Sequence, residues 1–146
     1  MNTDTMSKDP NVRENHQAAL DQAYSHFIRD KRRFSYCENA EDPNHGRYRG
    51  DDGSACPVGL LITDEEYTPE LEGKAPAVVN NDENPFRFLV EYDLEFLFRL
   101  VDAHDECVPI WREGNEDKAR LQFELELAHI ATDWKLDMQQ SSFSPN

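Results

Sequence analysis

The sequence predicts a mainly helical domain of α+β class, with three long helices packed around a small β-hairpin insert. Three observations carry that expectation. Apolar residues recur at helical spacing in three windows, and turn signals crowd the stretch after the first of them. Eight Phe, five Tyr and two Trp in 146 residues supply a core that a disordered chain lacks.

The first helix is predicted from Pro10 to about Arg33. Asp9 suits its cap, and Pro10 suits the first helical position, where a missing N–H costs nothing. Val12, His16, Ala19, Ala23 and Phe27 form its stripe, widened by Leu20, Tyr24 and Ile28. The cations Arg29, Lys31, Arg32 and Arg33 then favour the C-terminal dipole, and that accounts for the cluster ahead of a phosphate-binding role.

Between about residues 45 and 60 the pattern changes to that of a hairpin. Asn44-His45-Gly46 and Asp51-Asp52-Gly53 are turn signals, and Arg47-Tyr48-Arg49 between them is a strand candidate. Thr63-Asp64-Glu65-Glu66 has capping-box spacing, and Thr68-Pro69-Glu70 repeats a helix start that Gly73 ends. Lys74 to Asn84 reads as a loop.

The second helix is expected to open at Pro85 and end at Pro109, with Phe86, Leu89, Val90, Leu94, Leu97, Leu100, Val101 and His104 on one wide face. Phe96 and Phe98 fall outside the narrowest stripe. The third runs from an Asn115 cap to about Met138 with two apolar rows. Leu121, Leu125 and Ala128 make one; Phe123, Leu127, Ile130, Ala131 and Trp134 make the other. The folded body is therefore placed at 9–138, between polar tails at 1–8 and 139–146.

Charge is the outlier of the composition. Fifteen Lys/Arg against thirty Asp/Glu give a net −15. Residues 1–33 hold six basic and five acidic residues, so the remainder holds nine and twenty-five, a balance of −16. Such a field serves solubility; it also repels nucleic acid and anionic membranes and attracts basic protein surfaces. Glu91, Glu95 and Asp102 line up along the second helix, and Glu113, Glu116, Asp117, Glu124 and Glu126 add a second band. Carboxylates on rigid helices imitate the charge track of duplex phosphates, one per ~1.7 Å of axis.

No stretch approaches a membrane span, and no signal pattern precedes the body. With an odd three cysteines, Cys37, Cys56 and Cys107, a reduced cytoplasmic setting is expected. Cys56 in Ala55-Cys56-Pro57-Val58-Gly59 reads as a sharp turn into the apolar run Leu60 to Ile62 rather than an activated thiolate. Cys37, His45, Cys56, His104 and Cys107 lack the paired spacing of a zinc site, so no metal or cofactor is expected. His104, bracketed by Asp102 and Asp105, has a carboxylate neighbour but no nucleophile to serve, and no familiar catalytic motif occurs.

The pattern Tyr48-Arg49-Gly50-x-x-Gly53-x-x-Cys56-x-Val58-Gly59-x-Leu61-Ile62, then Asp64-Glu65-x-Tyr67 and Glu70-x-Glu72-Gly73, resembles a family of small, largely uncharacterised bacterial and phage proteins. Leu100-x-x-Ala103-His104-Asp105 and Trp111 extend the likeness over most of residues 47–134. Leu60 stands where many members carry a second cysteine, which weakens a shared two-cysteine role. The resemblance implies a fold and a phage-or-bacterial context, with Tyr48, Gly53, Cys56 and Gly59 as its structural motif.

Together these features favour a non-enzymatic acidic interaction protein, a DNA mimic or anti-defence inhibitor. It would occupy the basic, nucleic-acid-binding surface of a host defence protein, with no direct nucleic-acid or membrane contact. The alternatives are a small metal- or thiol-dependent enzyme using Cys37, Cys56 and His104, or a module that forms homo-oligomers through Phe96 and Phe98.

Overall fold

A computed structural model describes residues 10–36, 46–50, 53–72 and 91–138. Three long helices dominate them. The first, α1, spans Pro10–Ala23 and continues without a break as a π-helix over Tyr24–Arg29. α2 spans Leu94–Arg112 and α3 spans Glu116–Trp134.

Along α1 the predicted stripe is buried: Val12, His16, Ala19, Leu20, Ala23, Tyr24 and Phe27 face the core. The helix stops at Arg29, four residues short of the expected Arg33. Its wide last turn is closed by the Asp30 N–H on Ser25 O at 2.8 Å and the Arg32 N–H on His26 O at 3.0 Å. Lys31 then takes a left-handed φ of 55° and turns the chain inward. Phe34 is the reason: it is fully buried against Phe27, His104, Trp111 and Phe123, a place no continued helix would reach. Lys31, Arg32 and Arg33 therefore lie beyond the helix rather than in its last turn.

α2 begins after Asp93, an extended cap residue with ψ 136°. Glu91 thus precedes the helix instead of riding on it. The expected opening at Pro85, with Phe86, Leu89 and Val90, lies outside the described residues, as do both tails, Gly73 and the 74–84 loop. Pro109 does not end α2, which runs on to Arg112. The stop is Gly114, whose φ of 91° lets its own N–H reach Trp111 O and the Asn115 N–H reach Ile110 O. Asn115 makes no side-chain cap, and α3 closes in the same manner at Lys135, φ 58°, short of Met138.

Helices α2 and α3 form an antiparallel hairpin. Arg99 pairs with Asp133 at 2.8 Å near its open end, and Glu106 meets Glu126 near its middle. α1 packs across both, with His16 stacked on Phe96 at 4.0 Å and edge-on to Trp134, and Phe27 edge-on to Phe123. Phe96 is fully buried in this interior, so it is no candidate for contact with another copy. Only one of the two predicted rows of α3 is covered. Phe123, Leu127, Ile130, Ala131 and Trp134 are buried, while Leu121 and Leu125 stand 51% and 50% exposed.

The predicted hairpin is reduced to less than a strand pair. Among the described residues there is no strand, only the isolated antiparallel bridges Tyr36↔Gly46 and Arg49↔Ala55. Turn bonds hold the second: Gly50 N–H to Ser54 O at 2.9 Å, and Cys56 N–H to Tyr48 O at 3.2 Å. A ladder this short gains little by itself, and side chains do the fastening.

Candidate interaction surface and the motif beside it

Helical periodicity puts Glu95, Asp102 and Glu106 on one outward stripe of α2, and Glu113, the helical-region residue that caps its C-terminus, continues it, at separations of 7, 4 and 7 residues. Glu95, Asp102, Glu106 and Glu113 are all exposed. Glu126 of α3 closes on Glu106 from across the hairpin, and Gln122 steadies it with a 3.0 Å hydrogen bond to Oε2. The result is a two-helix acidic ridge.

Its electrostatics are self-repulsive. Partial burial pushes the Glu106 carboxyl up, and the neighbouring Glu126 and Asp102 charges push it further, as does a hydrogen bond to Glu126 that favours the protonated form. Partial burial likewise raises Asp102, aided by Asp105 and opposed by Arg99. Arg99 is itself committed to Asp133. Among the described residues no cation pairs with Asp102, Glu106 or Glu126.

The remaining nominated carboxylates fall elsewhere. Glu91 is exposed before α2, its carbonyl accepting from Asn15 Nδ2 at 3.2 Å. Glu116 and Asp117 sit at the N-terminus of α3, beside Arg120 at 3.9 and 3.8 Å. Glu124 lies on the opposite edge of α3 from Glu126, since two residues turn a helix by about 200°. The expected second band is thus divided. Glu106 was not nominated, although its place four residues after Asp102 was visible in the sequence.

The Tyr48-to-Glu72 motif assembles into one fastening. Glu72 accepts the N–H groups of Tyr48 at 2.9 Å and Arg49 at 3.0 Å, and the Tyr67 hydroxyl at 2.8 Å. Arg49 reaches back to Asp64 at 2.8 Å and to Ile62 O at 2.9 Å, its guanidinium over the Tyr67 ring. The Thr63/Glu66 capping box closes reciprocally, at 3.1 and 3.2 Å, although it opens only a turn. Pro69–Leu71 is a single 3-10 turn. Gly59 lies so close to the Tyr48 carbonyl that a Cβ would strike it. Gly53 sits exposed at the turn, donating to Gly50 O.

Cys56 is sealed beneath this fastening, its Sγ accepting the Gly59 N–H at 3.3 Å. Burial pushes its thiol up to about 12, which keeps it protonated and poorly nucleophilic at neutral pH. Cys107 is buried as well and also pushed up to about 12.

His104 is fully buried, and both ring nitrogens are engaged. The Ser35 backbone N–H, which can only donate, points at Nε2 at 2.9 Å. The ring proton therefore sits on Nδ1 and is donated to Asp105 Oδ1 at 2.9 Å. Asp102, the other bracketing acid, faces outward. The imidazole has no nitrogen left for a substrate. Cys37 and His45 lie outside the described residues, among which no group of three potential ligands gathers to hold a metal. No described helix is long and apolar enough to cross a membrane.

Comparison with known proteins finds no matching family model, no matching curated protein and no matching solved structure.

Proposed function

We propose that the protein is a non-enzymatic acidic interaction protein whose α2–α3 ridge occupies a basic, nucleic-acid-binding surface of a partner protein. The phage-or-bacterial setting implied by the motif resemblance makes a host defence protein the natural partner, and the protein an inhibitor acting as a DNA mimic in a cytoplasmic compartment. The observation that carries this reading is the contact between Glu106 and Glu126, flanked by Asp102 and relieved only by the field of Arg99 at Asp102, a cation itself committed to Asp133. Like charges brought together at a surface cost stability, whereas a cationic partner converts the same arrangement into attraction.

The scale is suitable. Glu95 to Glu113 covers about 27 Å at 1.5 Å per residue. Five carboxylates over that length carry about a third of the duplex charge density of one per ~1.7 Å. Such a ridge reproduces the sign and reach of a phosphate track more than its spacing. Leu125, exposed one helical step from Gln122, adds an apolar foothold beside it.

The experiment is charge reversal with a matched control. Capture of partners at low and high salt is compared for the wild type, for Asp102→Lys/Glu106→Lys/Glu126→Lys, and for Glu14→Lys/Glu65→Lys/Glu70→Lys away from the ridge. A partner held by the wild type and the control, released by salt and lost from the ridge variant supports the proposal. Equal retention by all three refutes it.

A second reading, a self-associating module, draws on Leu121 and Leu125 in place of Phe96. Light scattering of the wild type and Leu121→Gln/Leu125→Gln decides it, a dimer that dissociates in the variant being the supporting result.

A further inference from the structure

A cleft of about 770 Å³ opens at the end of the first helix, lined by His26, Asp30, Lys31, Arg32 and Arg33 and, from the motif segment, by Ser54. Three cations and one carboxylate therefore face a single cavity in a chain whose net charge is −15. The acidic interaction proposed above makes no use of them.

The backbone that bears these cations is fixed at several points. Asp30 and Arg32 donate to Ser25 O and His26 O of the π-helical turn, at 2.8 and 3.0 Å. The left-handed Lys31 is held by Arg120, whose Nη2 donates to Lys31 O at 3.0 Å. Ser35 is pinned by His104. Positive φ at a residue other than glycine persists only where its surroundings enforce it, so Lys31 is carried on a backbone held in one conformation. π-helical turns concentrate at functional sites, since they redirect side chains from the regular helical track. Lys31 and Arg32 are exposed and paired with no described carboxylate, and His26 Nε2 is buried with no hydrogen-bond partner.

We propose that this cleft binds a small phosphorylated molecule, with Lys31 and Arg32 neutralising its phosphate groups, Arg33 adding its charge from over the Tyr36 ring, and Ser54 facing them from the motif segment. Its volume falls in the range of small-ligand pockets, about 300–1,000 Å³. Guanidinium and ammonium groups on a fixed backbone lose little freedom on meeting phosphate oxygens. The acidic bulk of the chain does not forbid this, because charges beyond ~8 Å are largely screened at physiological salt. It does discriminate against polyanions, which must bring many phosphates near the remaining carboxylates.

Titration with pyrophosphate, with ADP and with a short thymidine oligonucleotide, followed by calorimetry and by histidine-ring NMR, tests the proposal. Saturable binding of pyrophosphate and ADP is expected, with Kd below about 1 mM at physiological salt. The His26 ring signals should move while those of His16, at the far end of the bundle, stay in place. Arg32→Glu should weaken binding about tenfold or more. Lys31→Gly suits the left-handed backbone and removes only the cation, so it should remain folded and still lose affinity. Absence of saturable binding, affinity unchanged in both variants, or binding of the oligonucleotide alone overturns the proposal.

Discussion

His104 Nε2 accepts the backbone N–H of Ser35 at 2.9 Å, fastening the segment after the first helix to the middle of α2. His16 makes the converse connection, accepting the Asp93 N–H at 2.9 Å and so fastening the start of α2 to α1. The two histidines act as side-chain splices where the backbone has no regular partner to offer.

Replacing His104 with Leu leaves the buried Ser35 N–H and the half-buried Asp105 carboxylate without their partner. The expected loss is about 2–4 kcal/mol, most of it the cost of orphaned polar groups. Urea denaturation measures it directly. His104→Gln, which keeps one acceptor and one donor, should recover part of the loss; a shift below about 0.5 kcal/mol in His104→Leu would refute the splice.

His16 links folding to pH. Burial lowers its pKa from 6.5 to about 4, against a smaller raising effect of Asp93. The unfolded chain then holds the extra proton between those values, so stability is full above 6.5 and declines as pH falls towards 4. A depression of that size corresponds to an upper bound of about 3.5 kcal/mol. His26 is lowered in the same direction, chiefly by burial, and raised Asp102 and Glu106 act oppositely. Comparing stability at pH 7 and pH 4.5 in the wild type and His16→Gln isolates the contribution, which should vanish in the variant. An unchanged pH dependence would contradict it.

Gly59→Ala places a methyl group against the Tyr48 carbonyl, a backbone atom that cannot swing aside. The segment must shift, at about 1–3 kcal/mol. Thermal unfolding should show a lowered Tm, together with faster amide exchange at Cys56, whose N–H bonds the same carbonyl.

Glu72→Ala removes the acceptor shared by Tyr48, Arg49 and Tyr67. A loss of about 2–4 kcal/mol is expected, since charged acceptors contribute more than neutral ones. Glu72→Gln, with one acceptor oxygen, should fall between, as read from denaturation midpoints.

The helices were legible in the sequence because burial follows the 3.6-residue period, and residues such as Leu20, Phe27, Leu100 and Leu127 occupy the interior as expected. The boundaries were less so. Pro109 looks like a stop, yet a proline near the end of a helix removes only one hydrogen bond, and Gly114 supplies the left-handed turn that does end α2. Lys31 gave no sign of its positive φ, which is imposed by the burial of Phe34, a tertiary demand. The capping box at Thr63 was legible as local chemistry, but nothing local says whether a helix follows. For the acidic surface, the spacing from Asp102 to Glu106 was available. The meeting of Glu106 with Glu126 depends on the register of two helices.

Competition for a partner bears on the function proposed for that ridge. A partner recovered through the wild-type ridge is loaded with a fluorescent DNA duplex, and the protein is titrated in at several salt concentrations. Displacement of the duplex, weakening as salt rises and absent with Asp102→Lys/Glu106→Lys/Glu126→Lys, is the predicted result. A stable ternary complex that retains the DNA, or equal displacement by the ridge variant, would contradict it.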